Sequence, residues 1–283
     1  MTPDATRRVA LIGRPLRRRH SQVMHDAAFA ANGIDARYDL RELEPGEVAD
    51  FVEQARGPEW LGFQITAPYK RDVMALLDAV EPEAEAIGAV NSVMRAPDGA
   101  LVGFNTDAPG FAAAVRRDLG MELGGARVVV AGAGGAAHAV AHAAVSAGAA
   151  EVRVVSRTLQ PAQALADRVG GVVPGTLDDG ALPGALAAAD LLVNATTVGM
   201  LTPGVVVDPA LLGEHAAVFD LVYVPLETEL LRAARARGLR AAGGAGMLVA
   251  QAVIAFRRWT GVADVTDVMQ AAVAPLLEGA AAP

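Results

Sequence analysis

Residues 62–70, GFQITAPYK, end in Lys70, the single lysine of a chain that otherwise carries 23 arginines. A guanidinium stays protonated at any physiological pH, whereas an ammonium releases its proton where its surroundings lower its pKa. Two readings follow. Either Lys70 is the leftover lysine of an arginine-biased composition, sitting on a solvated loop, or the position requires an amine that can move a proton. Residue type alone leaves both open.

A second chemistry-bearing stretch is residues 127–148, RVVVAGAGGAAHAVAHAAVSAG. Gly132, Ala133, Gly134, Gly135 and Ala136 follow an apolar run and open an alanine-rich one, with Ala137 in the third place of G-x-G-x-x-G/A. Glycines allow the tight turn and the close approach of a pyrophosphate, and the helix start supplies unpaired N–H groups. The alternative is a plain strand-to-helix turn, against which the flanking strand and helix weigh. The next apolar run ends in Ser156, Arg157 and Thr158, with no acid to hold a ribose 2′-hydroxyl. A guanidinium and two hydroxyls suit a 2′-phosphate, so NADP is favoured and NAD stays possible. Among the five histidines, His138 and His142 share a helix face, but no third ligand lies near them in sequence. No metal is expected, since zinc needs three or four ligands.

These groups need elements to hold them. Apolar runs at 9–13, 62–66, 127–131, 151–155, 190–194 and 217–221 predict buried strands, and amphipathic segments such as 162–170 and 229–238 predict helices. Alternation of this kind implies an α/β fold of parallel βαβ units covered on both faces. Residues 128–150 carry no charge and are long enough to span a bilayer, but the glycine interruption and two histidines predict a buried strand, turn and helix instead.

The whole chain narrows the class. At 283 residues it suggests two domains or one large α/β unit, with 53% hydrophobic and 20% charged residues, as in ordinary soluble proteins. A net charge of -8 disfavours a nucleic-acid partner and suits a small-molecule enzyme. The absence of cysteine excludes disulfides, thiolate nucleophiles and cysteine metal sites. The apolar run at 9–13 is too short for a signal peptide, so a cytoplasmic protein without membrane association is expected.

Beyond GFQITAPYK, the segments AIGAVNSV (86–93), GFNTDAPGF (103–111), GAGGA (132–136), SRT (156–158), NATTVGM (194–200), DLVYVPLETELL (220–231) and GMLVAQAVIAFRRWTG (246–261) resemble the shikimate dehydrogenase family, in the family's order over nearly the whole chain. The resemblance implies a split substrate-binding domain, residues 1–107 and 245–283, around a Rossmann-like dinucleotide-binding domain, residues 108–244. It implies that Lys70 and Asp107 form a catalytic pair, that Thr66, Asn91 and Gln251 contact substrate, and that Tyr223 lies at the mouth of the same cleft. Cofactor contacts would come from the 132–136 and 156–158 segments and from Thr196, Leu221 and Gly244. The residue types agree with that chemistry: an amine beside a carboxylate can accept a hydroxyl proton while hydride leaves the carbon, and a guanidinium cannot. Asp107 also reads as a helix N-cap before residues 108–116, and both roles can hold together.

The resemblance breaks in three places. The family usually carries a His-Ser-x-Ser-Pro segment whose two hydroxyls grip the substrate carboxylate, and here the region is GRPLRRRHSQVMHDAAF, residues 13–29. Anchoring on Met24 and His25 puts Arg19 and Ser21 at the two serines; anchoring on His20 and Ser21 puts Val23 at the second. One hydroxyl is missing either way. Arg19 either binds the carboxylate through its planar fork or is solvated with Arg17 and Arg18. Gln64 stands where asparagine is usual, and Pro161 where a second basic residue commonly follows SRT. The expected activity is NADP-dependent interconversion of shikimate, or a close analogue, with its 3-dehydro ketone. The alternatives are a quinate or aminoshikimate dehydrogenase using NAD or both cofactors, and a non-catalytic nucleotide sensor, for which a retained Lys–Asp pair would have no use. The partner is then a small hydroxylated cyclic carboxylic acid, and the protein a monomer or homodimer.

Overall fold

The structure, a computed structural model, describes residues 6–16 and 18–279; Arg17, grouped above with the basic run, lies outside them. The chain divides into two compact units, Met1–Thr106 with Gln251–Leu276 and Asp107–Ala250 with Leu277–Pro283.

In the first unit, β1 (Arg7–Gly13), α1 (His20–Ala31), β2 (Ala36–Glu42), α2 (Val48–Gln54), β3 (Trp60–Ile65), β4 (Ala79–Val80), α3 (Pro82–Ile87), β5 (Ser92–Arg95) and β6 (Leu101–Phe104) follow in order. The sheet runs β2-β1-β3-β5-β6-β4. Strand β1 pairs in parallel with both β2 and β3, but β5 is antiparallel to β3 and to β6. The all-parallel expectation therefore fails here. The cause is the short connection from β5 to β6, which is too brief for the crossover that parallel neighbours require. A core of Phe51, Trp60 and Phe63 fills one face, with Phe51 meeting the other two rings edge-on at 5.4 and 5.2 Å. That arrangement suits the ring quadrupoles.

The second unit continues with α4 (Asp107–Leu119), β7 (Arg127–Ala131), α5 (Gly135–Ser146), β8 (Glu151–Ser156), α6 (Leu159–Val169), β9 (Val172–Thr176), α7 (Leu182–Ala188), β10 (Leu191–Asn194), β11 (Ala217–Asp220), α8 (Glu229–Ala236) and β12 (Arg240–Gly243). Its sheet, ordered β12-β11-β10-β7-β8-β9, is parallel throughout. Strands β7 and β10 are apolar on both faces, as a sheet covered by helices on both sides demands. The uncharged stretch 128–150 is strand, turn and helix as expected, and no helix among the described residues is long and apolar enough to cross a membrane. Asp107 is the first residue of α4 rather than the residue before it. The last two helices are α9 (Ala245–Thr260), within which the division between units falls, and α10 (Thr266–Gly279).

Candidate active site

In each unit the strand order reverses next to the first strand of its parallel set. Strand β1 lies between β2 and β3, and β7 between β8 and β10, so a crevice opens at the carboxyl ends of β1/β3 and of β7/β10. Ligands of open α/β sheets bind at such points.

In the first unit, residues from β1, β3 and β5 meet at that crevice. Thr66 follows β3, its N–H donates to the Ile12 carbonyl at 2.9 Å, and its methyl packs so closely on Gly13 that a side chain there would collide with it. The Ile65 N–H donates to the Asn91 carbonyl at 2.9 Å, and the Val90 N–H donates to the Lys70 carbonyl at 2.8 Å, which ties the Lys70 turn to the strand carrying Asn91. The Asn91 amide is buried, donates to the Thr106 hydroxyl at 2.9 Å and accepts the Thr106 N–H at 2.9 Å. Lys70 and Thr66 are half-buried. Thus Thr66, Lys70 and Asn91, 25 residues apart at their extremes, lie on adjoining backbone. Gln251 is half-buried on α9.

Ser21 is half-buried in the first turn of α1, near the buried Tyr38 phenol. Arg19 precedes α1, is exposed, and exerts its charge on the Asp26 carboxyl. His20 is buried, its pKa lowered by burial and by the nearby Arg18 charge.

In the second unit, a pocket of about 790 Å³ opens at the β7/β10 crevice. Gly132, Ala133 and Gly134 line it on one side, Ser156, Arg157, Thr158 and Pro161 on another, and Thr196 on a third. Gly132 has φ +113°, and a Cβ there would lie 2.8 Å from the Ala195 carbonyl oxygen, so only glycine allows the two loops to meet. Gly134 is exposed directly before α5, where the first N–H groups of the helix are open to a ligand. Arg157 and Thr158 are exposed. The Ser156 hydroxyl donates to the Thr158 carbonyl at 2.6 Å, which leaves Arg157 and Thr158 as the available donors of that segment. Gly135 and Ala136 lie in the first turn of α5 outside the pocket lining.

The remaining predicted cofactor residues are placed elsewhere. Leu221 and Gly244 touch each other, the Leu221 carbonyl filling the space a Gly244 side chain would need. Tyr223 is half-buried in the segment after β11, and buried Asp107 opens α4.

A buried polar network behind the pocket was not anticipated. The Asn194 side chain accepts the Thr196 N–H at 3.0 Å and hydroxyl at 2.7 Å and donates to Asp220 at 2.8 Å; the other Asp220 oxygen accepts the Thr228 hydroxyl at 2.7 Å. Burial pushes the Asp220 carboxyl up, opposed by the Thr228, Val222 and Asn194 donors. The network fixes the loops after β10 and β11, hence Thr196 in the pocket wall. Its signal was present: two consecutive buried runs each end in one polar residue, Asn194 and Asp220. Among the described residues no three histidines, cysteines, aspartates or glutamates gather as a metal site.

Comparison with known proteins agrees with both halves. A family model of the shikimate dehydrogenase substrate binding domain matches residues 11–93. Models of shikimate / quinate 5-dehydrogenase and of the shikimate 5'-dehydrogenase C-terminal domain match residues 114–202 and 244–273. A shikimate dehydrogenase (NADP(+)) of Mesorhizobium japonicum is 42% identical over 92% of this chain and 92% of its own. The crystal structure of shikimate 5-dehydrogenase from Thermus thermophilus in complex with NADP(H) and shikimate is 39% identical, with a TM-score of 0.85, covering 95% of this chain and 99% of that one. Quinate dehydrogenase from Corynebacterium glutamicum in complex with NAD is 35% identical with a TM-score of 0.88 over 95% and 99%.

Proposed function

This chain belongs to the shikimate dehydrogenase family, and from that premise we propose that it is an NADP-dependent oxidoreductase interconverting shikimate and its 3-dehydro ketone. The first unit would bind the hydroxylated acid and the second the dinucleotide, with the domain limits 1–107 with 245–283 and 108–244. The observation that carries the reading is the pocket of about 790 Å³ lined by the glycine turn and by Arg157, groups suited to a pyrophosphate and to a 2′-phosphate, on a chain 42% identical to a shikimate dehydrogenase (NADP(+)).

The residues fit the cofactor. Gly134 and Gly135 leave open space beside the turn for a ligand, α5 offers its first N–H groups, and no carboxylate stands beside Arg157 in the lining to repel a phosphate. NADP supplies the hydride acceptor when bound. Lys70 takes the hydroxyl proton as hydride leaves the carbon and returns it to the alkoxide in reverse. Asp107 orients the amine and accepts from a substrate hydroxyl. Thr66, Asn91, Gln251 and Tyr223 bond the remaining ring substituents, and Ser21 bonds the carboxylate. Arg19, exposed before α1, takes no part in holding the acid.

The test is a spectrophotometric panel of shikimate and quinate with NADP and NAD. Shikimate with NADP should give the highest kcat/KM. Preference for quinate with NAD, or no turnover of either acid, would refute the assignment.

A further inference from the structure

Tyr38 lies on β2 in register with Val9, and Val9 faces Gly62 on β3. The Tyr38 side chain crosses β1 and reaches Gln64, two residues further along β3 than Gly62. Its hydroxyl donates to Gln64 Oε1 at 2.5 Å. Strands β2 and β3, which are not neighbours in the sheet, are thus joined through one phenol. The ring cannot swing away. It stacks on His25 at 4.7 Å and 21°, while its backbone N–H donates to Asp26 at 2.9 Å and its carbonyl accepts from Gln22 at 2.9 Å.

A phenylalanine would fill this space as well, so packing does not account for the hydroxyl. Tyr38 is 1% exposed, and a hydroxyl at that depth is costly unless bonded. Burial raises its pKa far above the usual phenol value, so it remains a donor. A donor at Oε1 determines the amide's orientation: the oxygen faces Tyr38, and Nε2 turns toward Ser92, 3.5 Å away, where its N–H groups are only loosely engaged. Gln64 pairs with Ser92 across β3 and β5, next to Asn91 and Thr66.

We propose that Tyr38 is a positioning residue for substrate binding: it holds the Gln64 amide so that Gln64 presents N–H, and not oxygen, to an acceptor atom of a hydroxylated acid. The proposal rests on the first unit being the acid-binding half. It concerns uniform binding of the acid and not the proton transfer, so its signature is in KM.

The experiment is steady-state kinetics of Tyr38→Phe, Gln64→Ala and the double variant of the full chain, with shikimate and NADP varied in turn. Tyr38→Phe should raise KM for shikimate by about tenfold and leave kcat within about threefold, as loss of ground-state binding predicts. KM for NADP should not change. In the Gln64→Ala background the same substitution should change KM by less than about threefold, because residues acting through one contact are non-additive. Gln64→Glu keeps an acceptor for Tyr38 but replaces the presented N–H by oxygen, and should raise KM for shikimate at least as much; it also serves as the readout if Tyr38→Phe fails to fold. An unchanged KM for shikimate in either folded variant, an equal rise in both Michaelis constants, or full additivity would overturn the proposal. A parent that does not oxidise shikimate overturns the functional reading and this proposal together, whereas an active parent with unresponsive variants overturns this proposal alone.

Discussion

Lys70 is half-buried in the turn after β3, its carbonyl bonded to the N–H beside Asn91. If its amine carries the proton, Lys70→Arg keeps the charge and loses most of kcat, by about 10² to 10⁴, the usual worth of general acid–base help. Turnover within a few-fold of the parent, measured at saturating shikimate and NADP, would reject that role. Arg157 is exposed on the rim of the pocket with the Ser156 proton committed to its own loop. The 2′-phosphate then depends chiefly on one guanidinium. Arg157→Ala should raise KM for NADP far more than KM for NAD, by about 1.5 to 3 kcal/mol for a charge-assisted bond. Equal effects on both cofactors would show that Arg157 does not read the phosphate.

Helix α1 is anchored by its inner face. His25 is completely buried, its Nδ1 2.8 Å from the Ser21 carbonyl, and its ring packs on Tyr38 and, at 5.3 Å, on Trp259 of α9. A carbonyl only accepts, so Nδ1 carries a proton. Burial lowers its pKa from 6.5 to about 4, opposed by the backbone at Ser21 and Ala252. Between those values the unfolded chain binds more protons than the folded one. Stability from this group is therefore whole above pH 6.5 and drains as the pH falls toward 4, by up to about 3 kcal/mol. Urea unfolding at pH 7 and pH 5 should show the parent losing about 2 kcal/mol more than His25→Phe over that interval. Identical losses would mean that His25 is not the titrating group. Element type was largely legible: the runs at 9–13, 127–131, 151–155 and 217–221 coincide with β1, β7, β8 and β11 to within two residues. Strands β2, β4, β5, β6, β9 and β12 were missed, since short, charged, glycine-bearing or partly exposed strands such as ARYDLRE and VVPGT lack a continuous apolar run.

At the scale of the molecule, two sheets each present a crevice at the carboxyl ends of their parallel strands, and the second holds the pocket lined by the glycine turn. A ligand that binds only the folded chain stabilises it by mass action. NADP at 100 times its dissociation constant should add about 2.7 kcal/mol. That should raise Tm by about 5 °C or more. NAD at the same concentration should raise it less. An unchanged Tm in millimolar NADP would mean that the pocket is not a dinucleotide site. The sequence by itself determined the family, the α/β class and the glycine turn, because these depend on local patterns: apolar runs, glycines that only a tight turn requires, and motifs in a given order. Only the tertiary structure decided which residues share a contact. The Asn194–Asp220–Thr228 network and the meeting of Tyr38 and Gln64 join positions that no local pattern links. A hydrogen bond across neighbouring strands depends on register and strand order, and chain propensity carries neither.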